Sequence, residues 1–144
     1  MPTYQPADLS FEPRIRASFA RQQVMALLGA SLSLVEPGCV EITLPFRADL
    51  TQQHGYVHAG IVTTIADSAC GYAALTLLPA GCEVLSVEFK INLLRPAAGE
   101  QFVARGVVLK PGRTLTITRA DVFAVTHGTS TLIAAMQATM ISQR

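Results

Sequence analysis

The sequence predicts an α+β domain in which one strongly curved antiparallel sheet wraps around a long central helix. Residues 59–82 carry a single formal charge, Asp67, among small and apolar residues, which is typical of a helix that is buried on nearly all sides. Most other segments alternate apolar and polar residues, the period of a strand. The turns between these strands are short, and short turns join antiparallel neighbours. The small residues of the helix would let such a sheet approach closely.

The N-terminal part is expected to be an arm followed by a covering helix. Residues 1–12 are polar and contain two prolines, so we expect a loose arm. Residues 14–28 have apolar side chains near helical spacing, and Gly29 is a suitable C-terminal cap. The apolar positions are Ile15, Phe19, Val24, Leu27 and Leu28. We therefore divide the chain into an arm and covering helix, residues 1–29, and one domain, residues 30–144.

A β-hairpin is predicted to precede the central helix. Residues 31–35 and 40–46 both alternate, and the turn sequence Glu36-Pro37-Gly38-Cys39 separates them. A polar connection, residues 47–57, then leads to the central helix. Pro79-Ala80-Gly81 ends that helix.

Four further strands follow, and the first has the clearest alternation. Its apolar positions are Leu85, Val87, Phe89, Ile91 and Leu93, which places Ser86 on the polar side with Glu88, Lys90 and Asn92. The other strands are predicted at residues 101–109, 114–125 and 131–141. The apolar phase of residues 114–125 shifts midway, so we expect a β-bulge near Arg119.

Composition excludes several classes of function. Half of the 144 residues are hydrophobic, 15% are charged and the net charge is +1, which gives no electrostatic basis for nucleic-acid binding. So few charges indicate either extensive burial or an apolar surface for a partner subunit. The N-terminus does not resemble a signal peptide, and the central apolar stretch is short for a membrane span. We expect a cytoplasmic protein without membrane association and, from the spacing of its three cysteines, without a metal site.

Two motifs carry a resemblance to a known family. The first is an amide residue, a glycine three residues later, a His-small-Gly triplet and an acid nine residues after the histidine: Gln52, Gly55, His58-Ala59-Gly60 and Asp67. The second is the strand 85–89 and its exit, residues 94–100. Together they resemble the PaaI-like acyl-CoA thioesterases of the hotdog fold over residues 30–142. The chain departs from the family where Ala59 replaces a glycine and where Gln52 replaces the asparagine of close relatives.

The resemblance implies hydrolysis of acyl-CoA thioesters, with coenzyme A as part of the substrate and no separate cofactor. Asp67 would act as general base on a water or as nucleophile. Ala59 and Gly60 open the central helix, and the Ala59 N–H would stabilise the oxyanion. Ala59 and Asp67 lie about 12 Å apart along the helix, too far to serve one carbonyl. The family resolves this with active sites shared across a homodimer, expected here to pair into a homotetramer.

Other residues receive supporting roles under the resemblance. Gln52 would orient the water or contact the thioester, His58 would shape the turn or act as a base, and Ser86 would lie near the acid. An apolar acyl pocket is expected around Tyr72 with Leu75, Leu78, Phe46 and Phe89. The candidate cations for the phosphates of coenzyme A are Lys90, Arg95, Lys110 and Arg113.

Two alternatives stay open at the level of the sequence. A hydratase or dehydratase of acyl thioesters would use His58 and an acid together. A non-catalytic acyl-CoA-binding hotdog module would need Asp67 only for stability. The identity of the acyl group is also open.

Overall fold

The computed structural model describes residues 2–144 and confirms the predicted architecture. Two short helices open the chain, α1 (Phe11–Arg21) and α2 (Gln23–Leu28), followed by the hairpin β1 (Ser31–Glu36) and β2 (Cys39–Pro45). A 3₁₀ turn, Ala48–Leu50, leads to the central helix. That helix and the remaining strands are α3 (Ala59–Leu75), β3 (Glu83–Leu93), β4 (Gln101–Lys110), β5 (Leu115–Thr126) and β6 (Thr129–Gln143).

The six strands form one sheet in the order β1-β2-β4-β5-β6-β3, and every neighbouring pair is antiparallel. The sheet curls around α3, which contacts β2, β3, β4, β5 and β6. The closest approach is at Gly106 of β4, where a Cβ atom would overlap the Ala69 carbonyl of the helix. Small residues on both elements thus fix how deeply α3 lies in the sheet.

The prediction of one helix over residues 14–28 is wrong. Gln22 has an extended backbone, with ψ of 97°, and separates α1 from α2. The interruption rotates the second helix, so that Met25 and Leu28 are buried while Val24 and Leu27 are exposed. Gly29 does end α2, in the left-handed conformation at φ 72°.

The expectation of a loose N-terminal arm is also wrong. The Tyr4 ring lies against Gly38, and its hydroxyl donates to the Val108 carbonyl at 3.1 Å. Asp8 forms an ion pair with Arg14 at 3.1 Å. The arm is therefore held by both the sheet and α1.

Arg14 connects the N-terminal helices to the central helix. Its Nη2 donates to the carbonyls of Leu78, at 2.8 Å, and Leu75, at 3.4 Å. These carbonyls lie at the C-terminal end of α3, where a cation is favourable to the helix dipole.

β5 has no bulge near Arg119, contrary to the prediction. Its even-numbered residues face the core without interruption, from Thr116 and Thr118 to Val122 and Ala124. The apparent phase shift arises because the first two inward positions are threonines. Thr118 satisfies its buried hydroxyl by donating to the Ala138 carbonyl at 3.3 Å.

Register shifts occur on other strands, and the one that bears on the site lies in β3, where the register against β6 shifts between Ser86 and Glu88. Ser86 pairs with Met140 and Phe89 pairs with Ala138, both of which are buried beneath α3. Ser86 therefore faces the helix on the same side as Phe89, not the polar side with Glu88 and Lys90. One extra residue reverses the alternation that the sequence shows.

β3 is an edge strand that is apolar and exposed. Four of its side chains are between 44% and 55% exposed: Leu85, Val87, Phe89 and Leu93. An edge of this kind presents unpaired backbone groups together with apolar area. Among residues 2–144, no helix is long and apolar enough to cross a membrane.

Candidate active site

The N-terminus of α3 is organised by His58, the N-cap residue. Its Nδ1 accepts the Gly60 N–H at 2.8 Å, and its carbonyl accepts the N–H groups of Ile61 and Val62. In this contact Nδ1 is the acceptor, so Nε2 is the ring nitrogen that can donate. The side chain therefore satisfies one of the backbone donors that a helix leaves unpaired in its first turn.

The backbone N–H groups of Ala59 and Gly60, the two residues predicted to begin the helix, differ in whether they have an acceptor. The Gly60 N–H is occupied by His58. Within residues 2–144, the Ala59 N–H has no hydrogen-bond acceptor. Ala59 also lines a cleft, so its N–H is a donor available to a bound group at the positive end of the helix.

The loop before His58 is a compact turn closed by a bridge between Thr51 and Val57. The Gln52 N–H donates to the Tyr56 carbonyl at 2.8 Å, and Gln52 Oε1 accepts the His54 N–H at 2.5 Å. Gly55 supports the turn with a φ of +84°. These contacts use the Gln52 side-chain carbonyl and leave its amide hydrogens for a ligand in the same cleft.

The cleft has a volume of about 640 Å³ and a mixed lining. Its polar contributors are Gln52, Gln53, His58 and Arg95, and its apolar ones include Val57, Leu93 and Ile133. Arg95 Nη1 donates to the Leu132 carbonyl at 2.7 Å. Of the four cations predicted to contact coenzyme A, Arg95 alone lines this cleft.

The other three predicted cations lie elsewhere. Lys90 pairs with Gln137 on the convex face of the sheet, away from α3. Lys110 ends β4, and Arg113 lies in the following turn, where its carbonyl accepts the Ser142 hydroxyl at 2.6 Å. None of the three lines the Ala59 cleft or the cavity around Asp67.

Asp67 lies on the side of α3 that faces β3, and it is half-buried. The Ser86 hydroxyl donates to its Oδ1 at 2.6 Å. The neighbours Ala66 and Ala69 are fully buried, so the acid occupies the open side of an otherwise enclosed helix. The sequence predicted a helix that is buried on nearly all sides, and Asp67 marks its open side, next to the outermost strand.

Asp67 and Ser86 line a second cavity of about 230 Å³. Tyr72 and Leu75 line it, as predicted for the acyl pocket, whereas Phe46, Phe89 and Leu78 do not. Burial raises the pKa of the Tyr72 hydroxyl, which lies 3.3 Å from Ser18 Oγ.

Ser18, Gln22 and Ser68 also line this second cavity, although sequence reasoning did not identify them. Ser18 and Gln22 come from the N-terminal helices, outside the motifs. Gln22 lies at the interruption between α1 and α2. A break in a run of helix-forming residues has no local signal in the sequence.

The two cavities share no lining residue. Ala59 and Asp67 are eight residues apart on one straight helix, about 12 Å along its axis. A single chain therefore presents an anion-stabilising group and a carboxylate in two separate places.

Comparisons with known proteins agree with this description. A family model described as the thioesterase superfamily matches residues 54–131, more than half of the chain. Human acyl-coenzyme A thioesterase 13 is 33% identical over 86 residues, which cover 59% of this chain and 61% of that protein.

Solved structures show the same fold. A thioesterase family protein from Silicibacter pomeroyi is 51% identical, with a TM-score of 0.91, and the match covers 92% of this chain and 98% of that one. The PaaI protein of E. coli is 19% identical with a TM-score of 0.83, covering 93% and 94% of the two chains. At that identity the second likeness concerns the fold alone.

Proposed function

This chain belongs to the thioesterase superfamily and is a thioester hydrolase with the fold of the PaaI protein. From this premise we propose that it hydrolyses acyl-CoA thioesters in a site shared by two copies of the chain. The free Ala59 N–H of one copy would bind the thioester oxygen. Asp67 of the other copy would direct attack on the carbonyl carbon. The observation that carries the proposal is the separation of these two groups on a single helix.

The unpartnered Ala59 N–H supports the role of oxyanion donor. Attack on a thioester places negative charge on the carbonyl oxygen, and a fixed N–H at a helix N-terminus stabilises that charge. His58 holds the neighbouring Gly60 N–H and fixes the first turn. Its role is to position the donor, and the hydratase chemistry that would need a free imidazole Nδ1 is not favoured.

The contact between Asp67 and Ser86 supports the role of the acid. The 2.6 Å hydrogen bond to Oδ1 fixes the carboxylate and leaves Oδ2 for a water or for the carbonyl carbon. The half-buried position of Asp67 admits substrate beside it. Asp67 would therefore serve as general base or as nucleophile, with Ser86 holding its orientation.

The exposed edge strand β3 supports the shared site. A second copy that pairs antiparallel along β3 would cover Val87, Phe89 and Leu93 and would extend the sheet across the two copies. The two-fold axis of such a pair reverses the direction of the partner's helix. This reversal would carry the helix N-terminus of one copy toward the Asp67 of the other, which closes the 12 Å gap.

Arg95 supports coenzyme A as the leaving group. It is the one predicted cation in the cleft next to Ala59, and a guanidinium is well suited to a phosphate or pyrophosphate. The amide hydrogens of Gln52 lie in the same cleft for contact with the thioester or the attacking water.

The experiment that tests the proposal is the release of free coenzyme A thiol from a panel of acyl-CoA esters by the wild type and Asp67→Asn. We expect hydrolysis by the wild type and a loss of at least about 100-fold in the variant, the usual contribution of a catalytic base. Asp121→Asn is the matched control, since Asp121 pairs with Arg119 on the other face of the sheet. Equal rates for the wild type and Asp67→Asn would contradict the role of Asp67.

A further inference from the structure

We propose that the Thr64 hydroxyl is the second acceptor for the water that attacks the thioester, and that Asp67 therefore acts as general base and not as nucleophile. The inference rests on the proposed function, because it assigns a further residue to the same site. Apart from the oxyanion donor, the groups involved lie on α3 and β3 of a single chain.

Asp67 shares the open face of α3 with two threonines. Beyond the first three residues of the helix, the residues that are not buried are Thr63, Thr64, Asp67 and Gly71. The threonines precede Asp67 by four and three residues, so both are its neighbours one turn toward the N-terminus. Helical side chains lean in that direction, which brings the Asp67 carboxylate over the turn that holds the two hydroxyls.

The hydrogen bonds on this face leave two acceptors free. Thr64 Oγ1 donates its single hydrogen to the Gly60 carbonyl at 2.8 Å, so it can only accept from a ligand. Asp67 Oδ1 accepts from Ser86 at 2.6 Å. Across residues 2–144, no donor reaches Thr64 Oγ1 or Asp67 Oδ2. Side chains at this spacing have Cβ atoms roughly 5–6 Å apart, a gap that one water can bridge.

The position around the helix favours Thr64 over Thr63. At roughly 100° per residue, Thr64 and Gly71 lie on the same side of Asp67. Thr63 lies on the opposite side, in line with Cys70, which is fully buried. The hydrogen bond of the Thr63 hydroxyl is partly buried, whereas that of Thr64 is exposed. A water beside the carboxylate therefore has room on the side of Thr64.

A water held by these two acceptors is oriented for attack. It donates one hydrogen to Asp67 Oδ2 and the other to Thr64 Oγ1, which leaves a lone pair for the carbonyl carbon of the thioester. As the bond from this oxygen to carbon forms, Asp67 takes the first proton, and the electron pair of the carbonyl moves onto its oxygen at the Ala59 N–H of the other copy. When the carbonyl forms again, the bond to sulfur breaks and Asp67 returns the proton to the departing thiolate.

The test measures kcat and KM with the ester that the wild type hydrolyses fastest. Thr64→Val replaces the hydroxyl by a methyl group at similar helix propensity. We expect kcat to fall about tenfold with little change in KM, the loss typical of one hydrogen bond to the reacting water. Thr64→Ser keeps the hydroxyl and should restore most of kcat. Thr63→Val is the matched control and should keep the wild-type kcat, since the Thr63 hydroxyl makes the same kind of bond, to the Ala59 carbonyl.

Rapid mixing of Thr64→Val with the same ester separates the general base from the nucleophile. When water attacks the thioester directly, coenzyme A leaves only after water has added, so thiol should appear linearly from the first turnover. A nucleophilic Asp67 would release coenzyme A before water reacts. A variant that misplaces the water would then show a burst of about one thiol per site.

Circular dichroism checks that each variant is folded. A wild-type kcat in Thr64→Val, an equal loss in Thr63→Val or in Thr64→Ser, or a burst of thiol would overturn this inference, while inactivity of Asp67→Asn would still support the proposed function. Hydrolysis of no ester by the wild type would overturn the proposed function and this inference with it.

Discussion

At the scale of single residues, the proposed site depends on the backbone N–H of Ala59, which ordinary side-chain substitutions do not remove. Ala59→Pro removes it selectively. Proline is favourable at the first position of a helix, and the extended backbone of His58, with φ −60° and ψ 139°, suits a residue before proline. We expect a folded protein whose kcat falls by about 10²–10³, the cost of losing one oxyanion donor.

The matched control for this substitution is Ala59→Gly, which keeps the N–H. Thermal unfolding and thiol release should show both variants folded and only the glycine variant active. An active Ala59→Pro protein would assign the oxyanion to another donor.

His58 offers a second prediction at this scale, on stability. Its Nδ1 caps α3, so His58→Ala should lower the free energy of unfolding by about 1 kcal/mol, whereas His58→Asn, itself a good cap, should lose less. Denaturant titration measures both values. An unchanged free energy of unfolding in His58→Ala would contradict the capping role of the imidazole.

At the scale of elements, the helices and strands that follow from residue periodicity and turn spacing were predicted from the sequence. Features that depend on local backbone geometry, such as bulges and helix interruptions, were not. The central helix, the hairpin and the last strands follow from alternation and turn residues. The face of the sheet on which Ser86 lies could not be predicted in this way, because one bulged residue in β3 reverses the alternation of side chains. The sequence also contains no signal for the interruption at Gln22, since glutamine has an ordinary helix propensity. The spacing of the motifs predicted Asp67, Ala59 and Gln52 as site residues. The position of Ser18 and Gln22 beside the Asp67 cavity depends on tertiary packing, which the sequence does not show.

The hydrogen bonds from Arg14 of α1 to the end of α3 lead to a prediction about stability. Arg14 donates to two carbonyls at the end of α3, so Arg14→Met should destabilise the fold by about 1–3 kcal/mol because those carbonyls lose a charged donor. Arg16→Met is the control: Arg16 forms only an exposed pair with Glu12 one turn away, worth a few tenths of a kcal/mol at most.

Denaturant unfolding of the two arginine variants provides the measurement. Similar losses for Arg14→Met and Arg16→Met would mean that the N-terminal helices are not held by the end of α3.

At the scale of the whole molecule, the edge of the sheet is the decisive feature. Val87→Lys places a charge among the exposed apolar side chains of β3, and charged residues on an edge oppose strand pairing. We expect a monomer by light scattering and a large loss of thioester hydrolysis, although every proposed catalytic group is retained. Leu27→Lys, on the exposed face of α2, should change neither property.

The proposed sharing of the site between two copies leads to a complementation test. Asp67→Asn and Ala59→Pro each damage a different half-site, so a mixed dimer of the two variants would contain one intact site. Mixing the inactive proteins under conditions of subunit exchange should restore up to about half of the wild-type activity per mixed dimer, by symmetry. No recovery, with exchange demonstrated, would place both groups of one site on the same chain.

The exposed apolar side chains of β3 also have a consequence for how activity depends on protein concentration. If catalytic competence arises only when two copies meet, the rate follows the law of mass action for a reversible pairing. Well below the dissociation constant, turnover would rise with the square of protein concentration. Well above it, turnover would rise in simple proportion. The edge strand would then make activity depend on the concentration of the protein itself, and the chain would be nearly inactive at low concentration.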